Sequence, residues 1–225
     1  MVGMHMKLST RCNNRKVIFI TLGMIAVILV IGVSCFKRLA NKGFWTSPTC
    51  LPPCWNGIKP GDRMNVNEVI RILTRHPAVS EIWGNRLPAG TDIAWHWKQC
   101  LWQRTGTNSV FLVGNEVNNI TLSIDFDLSV QEIVDRYGIP ENTDIGQAGV
   151  PENPYVRLGL VYPTRGVTFV AAVTPWDRPN LQSTTRISEA IFYVPSDSLT
   201  AWRQANPYQH LLSWPGSGLL ELPSQ

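Results

Sequence analysis

Residues 17–36 read VIFITLGMIAVILVIGVSCF, an unbroken uncharged run between Lys16 and Lys37. At 1.5 Å of rise per residue, a helix of this length spans a hydrocarbon core of about 30 Å. It has no polar stripe and therefore no single face to lay on a globular core, so it predicts a transmembrane helix. Lys7, Arg11, Arg15 and Lys16 precede the run with no acidic residue among them; Lys37, Arg38 and Lys42 follow it. The difference predicts a cytoplasmic tail at 1–16, a single-pass signal anchor, a linker at 37–49 and a folded region outside the cytoplasm. The run closes on Gly32-Val33-Ser34-Cys35, which also suits a lipoprotein cleavage box with Cys35 acylated. Both forms of attachment to the lipid bilayer stay open.

The rest of the chain is electrically balanced. The whole sequence has 20 Lys and Arg against 16 Asp and Glu, and four of the basic residues lie before position 37. The folded part therefore has no basic surplus, and no nucleic-acid partner is expected. Of the five cysteines, Cys50 and Cys54 bracket Leu51-Pro52-Pro53 where the folded region begins. In an oxidising compartment such a pair predicts a local disulfide, with Cys54–Cys100 as the alternative. A zinc site from Cys50, Cys54, His96 and Cys100 is disfavoured. Residues 93–99 read as a strand, which would hold His96 and Cys100 roughly 13 Å apart.

Placed over itself at an offset of 64, the chain matches residues 64–73 with 128–137. Asn65 and Ser129 are each followed three residues later by Glu, a capping box at a helix start. Three strand-like runs follow each helix: 93–99, 109–113 and 117–126, then 155–162, 166–173 and 186–194. In 120–126, Ile, Leu, Ile and Phe alternate with Thr, Ser and Asp, giving a strand with one wet face. The expected class is α+β: two tandem helix-plus-antiparallel-meander modules, 50–126 and 127–206, sharing one sheet with the helices on one face. A short helix over 197–205 capped by Ser196 and a surface tail at 207–225 complete the reading.

Two resemblances bear on this. Cys54-Trp55-Asn56-Gly57-Ile58-Lys59-Pro60-Gly61, the capped helix and the turn Tyr162-Pro163-Thr164-Arg165-Gly166 resemble a group of uncharacterised bacterial envelope proteins. These are membrane-anchored or lipidated and share a Pro-Cys-Trp-x-Gly-Ile-x-Pro-Gly start. At fold level, Gly-Ile-x-Pro-Gly before a capped helix and meander is similar to the BamE-like lipoprotein module, and two such modules to the β-lactamase inhibitor protein. Those relatives bind other proteins and catalyse nothing. The resemblance implies a non-enzymatic interaction module of the bacterial cell membrane, with another envelope protein as partner.

Nothing in the sequence points to catalysis or a cofactor. It has no Gly-x-Ser-x-Gly, His-Glu-x-x-His, P-loop or dinucleotide fingerprint. His96 lies between Trp95 and Trp97, so it faces outward if they face the core. The candidate binding residues are those expected on the wet face: His96, Lys98, Thr121, Ser123, Asp125 and Arg157. The alternative is a ligand- or glycan-binding protein using Trp83, Trp102 and Trp176, expected near loops.

Overall fold

The computed structural model describes residues 53–97, 107–124, 126–150, 153–174, 179–205, 211–216 and 218–219, together with Met24. The described fold begins at Trp55-Asn56-Gly57-Ile58. Asn56 (φ 50°) and Gly57 (φ 82°) both take positive φ, while Trp55 and Ile58 exchange two backbone hydrogen bonds of 2.8 Å. An Asn-Gly pair supports this tight reversal because both residues tolerate the left-handed region. The turn drives Trp55 and Ile58 together into the core. The amide of Gly61 then donates to Val117, and that of Met64 to Asn115. Much of the Cys-Trp-Asn-Gly-Ile-Lys-Pro-Gly motif is thus structural.

Helix α1 spans Val66–Arg75 and helix α2 Val130–Tyr137. Their caps are the expected ones. The Asn65 side chain accepts the Glu68 amide at 3.0 Å. Ser129 accepts the Glu132 amide, and the Glu132 carboxylate accepts the Ser129 amide at 2.8 Å. In α1 only half of the box forms, and Glu68 pairs with exposed Arg71 instead. Helix α2 stops at Gly138, whose φ of 84° suits glycine. Ser129→Ala is expected to cost about 1 kcal/mol by removing the cap; a urea midpoint equal to wild type would contradict it. Helix α3, Leu199–Ala205, is capped by Ser198, which accepts the Ala201 amide, rather than by Ser196.

The strands are β1 Val79–Leu87, β2 Gly90–Trp97, β3 Thr107–Val113, β4 Glu116–Ser123, β5 Asn142–Val150, β6 Asn153–Tyr162, β7 Val167–Val173, β8 Asn180–Leu181, β9 Ile187–Tyr193, β10 Leu211–Leu212 and β11 Gly218–Leu219. Nine of them form one antiparallel sheet in the order β1-β2-β3-β4-β9-β7-β6-β5-β10, and β8 pairs with β11. This corrects the expected fold class. The molecule is predominantly β, one large sheet with three short described helices, rather than an α+β pair of three-stranded modules carrying a transmembrane helix. Strands β1 and β5 escape the alternation rule. A bulge between Ser80 and Ile82, with Glu81 at φ 44°, breaks the period in β1. β5 contains Gly146, Ala148 and Gly149 and turns few apolar residues inward. The C-terminal tail is also stitched in, because β10 pairs with β5 and β11 with β8.

No helix among the described residues is long and apolar enough to cross a membrane. The longest described helix, α1, has 10 residues, about 15 Å or half a hydrocarbon core. The expectations of a single-pass transmembrane helix and of a membrane location with a cytoplasmic N-terminus are corrected accordingly. Apart from Met24, residues 17–36 lie outside the described residues, as does Cys35. Cys54 is disulfide-bonded. It is the one cysteine among the described residues, so no bridge joins two described cysteines. The expected Cys50–Cys54 pairing, like Cys54–Cys100, falls outside them.

Both helices pack on one face of the sheet. Trp55 stacks on Trp95 with ring centroids 5.4 Å apart, and His76, at the end of α1, lies 6.0 Å from Trp97. Under α2, Tyr137 meets Phe169 at 5.0 Å and Tyr162 at 5.5 Å. The Tyr162 hydroxyl donates to the Gly138 carbonyl at 2.8 Å. Burial pushes the Tyr137 phenol from 10.0 up to about 12, against the opposing pull of Arg136 and Arg165. Burial raises Tyr162 and Tyr193 as well. A phenol is neutral when protonated, so a raised folded-state pKa stabilises the fold below the unfolded value and is lost as pH rises through the folded one. Stability is therefore expected to hold up to about pH 10 and to fall between about 10 and 12. Absorbance at 295 nm should show tyrosinate appearing together with unfolding; free titration of all tyrosines near their ordinary value, before any unfolding, would refute this.

Candidate functional site

The face turned away from α1 and α2, here the outer face, carries four of the six candidate residues. Trp95 is fully buried on the helix side, which turns His96 outward as expected. Ser80, opposite His96 on β1, and Thr107, opposite it on β3, lie on the same face. Thr121 pairs with Ser109 on one side and Ile191 on the other, and Ser123 pairs with Glu189. Arg157 lies on β6, across from Ala172. Lys98 and Asp125 lie outside the described residues.

These residues share a face without forming one site. Five strand steps separate β2 from β6 in the sheet order, and at about 4.8 Å per step His96 and Arg157 are about 24 Å apart. Arg157 is already engaged. Its guanidinium lies 3.3 Å from Asp144 and 3.7 Å from Glu189. All three groups are partly exposed, so the cluster contributes modestly to stability, and both carboxylates engage the Arg157 charge. Ser123 is likewise structural: its amide donates to Asn108 Oδ1 at 2.9 Å, its hydroxyl donates to the Thr107 carbonyl, and its carbonyl accepts Trp97 Nε1. His96 packs beside Trp83 with ring centroids 4.7 Å apart. Its Nδ1 is buried and has no hydrogen-bond partner.

Of the apolar residues on this face, the sequence singles out Trp83 alone, as a loop residue, and not Leu87, Phe111 or Val113. Trp83 sits within β1 opposite Ala94, not in a loop. Phe111 and Val113 point outward from β3 while Val110 and Leu112 point into the core. The run Val110-Phe111-Leu112-Val113 is apolar on both faces, and that was the available signal, because a strand with one wet face should alternate. Leu87 and Val113 remain about half exposed, at 49% and 48%. Trp102 and Trp176 lie outside the described residues. Among the described residues no group of three or more His, Cys, Asp or Glu side chains converges as a metal site would require.

The outer face differs from one half of the sheet to the other. On the side of β7 and β9, Trp202 of α3 lies 5.9 Å from Tyr193 and is itself buried. Tyr193 bonds back to the Val167 carbonyl at 3.2 Å and accepts from Thr168 at 3.3 Å. On the side of β1 to β4, no described element lies over the corresponding positions. No family model matches this chain, and no curated protein or solved structure matches it.

Proposed function

We propose that this chain is a non-enzymatic protein-binding module, and that the outer face of β1 to β4 is its contact surface. The supporting observation is the composition of that face. Trp83, Leu87, Phe111 and Val113 offer apolar and aromatic area beside the hydroxyls of Ser109 and Thr121 on rigid, paired strands. Exposed aromatic and aliphatic groups bordered by polar ones are characteristic of protein contact sites. A broad sheet face suits a macromolecular surface better than a small ligand, which needs an enclosing cleft. The resemblance to BamE-like and inhibitor-like modules, whose members bind proteins, points the same way. The test is a photo-crosslinking amino acid placed at Thr121, compared with one at Glu132 on the exposed side of α2. Covalent adducts with a protein are expected from Thr121 and not from Glu132. Adducts from both positions alike, or from neither, would overturn the proposal.

A further inference from the structure

The two halves of the sheet are related by a local two-fold axis. The bridges Arg63–Glu116 and Ser129–Arg186 occupy equivalent places, and the ladders that join β4 to β3 and β9 to β7 each skip one residue, Asn118 and Ser188. Both comparisons place β9 70 positions after β4. At that offset Thr121 is equivalent to Ile191, and these two lie directly opposite each other. The axis therefore passes between them. β4 and β9 meet as like strand against like strand, which is the geometry of a two-fold dimer interface held within one chain.

The order β1-β2-β3-β4 mirrors β5-β6-β7-β9 about this axis, so β1 and β5 are equivalent outer strands. Their edges are protected differently. β1 carries a bulge between Ser80 and Ile82, with Glu81 at φ 44°. It also holds the exposed Arg86 on the helix face, opposite Thr91. Bulges and charges turned inward are devices that discourage strand addition at a sheet edge. β5 has neither. Its nine pairs with β6 run from Asn142–Val161 to Val150–Asn153 without a shift, and its one charged residue, Asp144, is paired with Arg157. What meets β5 instead is the C-terminal strand β10. Leu211 and Leu212 pair antiparallel with Asp144 and Thr143, and the hydroxyl of buried Thr143 donates to the Leu212 carbonyl at 3.2 Å.

We propose that β10 is a guard strand, and that the edge of β5 beneath it is a pairing surface for β5 of a second copy of this chain. The two β5 strands would run antiparallel about a new two-fold axis, the mode already used between β4 and β9. An uncovered edge is a row of unpaired N–H and C=O groups, a template for another strand. The guard contributes two residues of ladder, whereas a second β5 offers nine. The guard prevails in the intact chain because it is tethered. A linked segment acts at an effective concentration of about millimolar, against which separate chains at about micromolar levels cannot compete. Pairing at β5 closes on itself, and the bulge and Arg86 protect β1, so assembly stops at a dimer instead of growing into a filament. This surface is separate from the face of β1 to β4 and does not depend on the protein-binding reading.

The test uses the full chain with Leu211→Pro and Leu212→Pro together, which removes both N–H groups that β10 could bring to β5. Size-exclusion chromatography with light scattering is expected to give a monomer for wild type and a dimer for the variant. Far-ultraviolet circular dichroism should show the sheet retained. Gly146→Lys, added to the variant, locates the interface. A Cβ at Gly146 meets nothing within 4 Å. With β5 paired along its full length Gly146 faces its own copy, so two like charges are opposed. The dimer should then dissociate about fivefold more readily or more, whereas Gly84→Lys, which puts the same charge on β1, should leave it unchanged. A folded double-proline variant that stays monomeric would overturn the proposal. So would a wild-type protein that is already a dimer, or a variant dimer that Gly146→Lys weakens no more than Gly84→Lys does. Loss of the sheet in the double-proline variant would make β10 part of the core instead of a guard, and would overturn it as well.

Discussion

Trp95→Ala is expected to destabilise the fold by about 3–5 kcal/mol, the usual cost of truncating a fully buried tryptophan. The indole is at 0% exposure, stacks on Trp55 and meets the edge of Trp97 at 6.0 Å. Its loss would leave a cavity between the Trp55 turn and the sheet. One feature offsets part of the cost. Trp95 Nε1 is buried with no hydrogen-bond partner, and removing an unsatisfied donor recovers about 1–3 kcal/mol of desolvation. Trp95→Phe keeps most of the ring and removes that donor, so it should cost far less than the alanine variant. Urea denaturation followed by far-ultraviolet circular dichroism measures both. A loss below about 1 kcal/mol for Trp95→Ala would refute the central place given to this cluster.

The second large effect is expected at Gly90. A Cβ built there would run into the carbonyl oxygen of Leu112 and press on the ring of Phe111. The carbonyl belongs to the neighbouring strand, so β2 and β3 would have to move apart. Gly90→Ala should therefore cost about 2 kcal/mol or more, within the range for overpacking, and should displace Phe111 on the proposed contact face. Gly84 is the control. Its nearest neighbour lies 4.0 Å away, and Gly84→Ala should stay within about 0.5 kcal/mol. Equal effects at the two glycines would show that strand propensity, not this contact, decides the outcome.

The elements visible in the sequence were those whose signal is local. Asn65 and Ser129 announce helices because a cap and the residue three positions on satisfy each other within one turn. Ile120, Leu122 and Ile124 announce β4 because alternation is preserved there. β1 was illegible because a bulge at Glu81 shifts its phase midway, and β5 because its glycines and Ala148 supply little inward apolar surface. The candidate face was half legible. His96, Thr121, Ser123 and Arg157 do share a side, since strand parity fixes sidedness. Parity says nothing about neighbours, however, and Arg157 is neutralised by Asp144 and Glu189 through ladders that no short window contains. Phe111 and Val113 sit in the apolar run 110–113, which by itself does not say which residues face outward; the pairing with β2 and β4 does.

The junction between β4 and β9 sets which face of the sheet each half turns to the helices. In the sheet order, the strands β1 to β4 meet the remaining strands through this one ladder, from Asn119–Tyr193 to Ser123–Glu189. Side chains alternate with a period of two, so a slip of one residue there would invert one half relative to the other. Ile191 would turn into the core, Phe192 would turn to solvent, and α1 and α2 would end on opposite sides. Each half can close its own hairpins over short stretches of chain, whereas this ladder joins residues about 70 apart, and pairings of such long sequence separation are the slow ones to form. A register error at Ile120–Phe192 would therefore misplace a whole half of the sheet. A bulky apolar pair opposed at that point makes the wrong register costly, because either slip exposes a phenylalanine that the correct one buries.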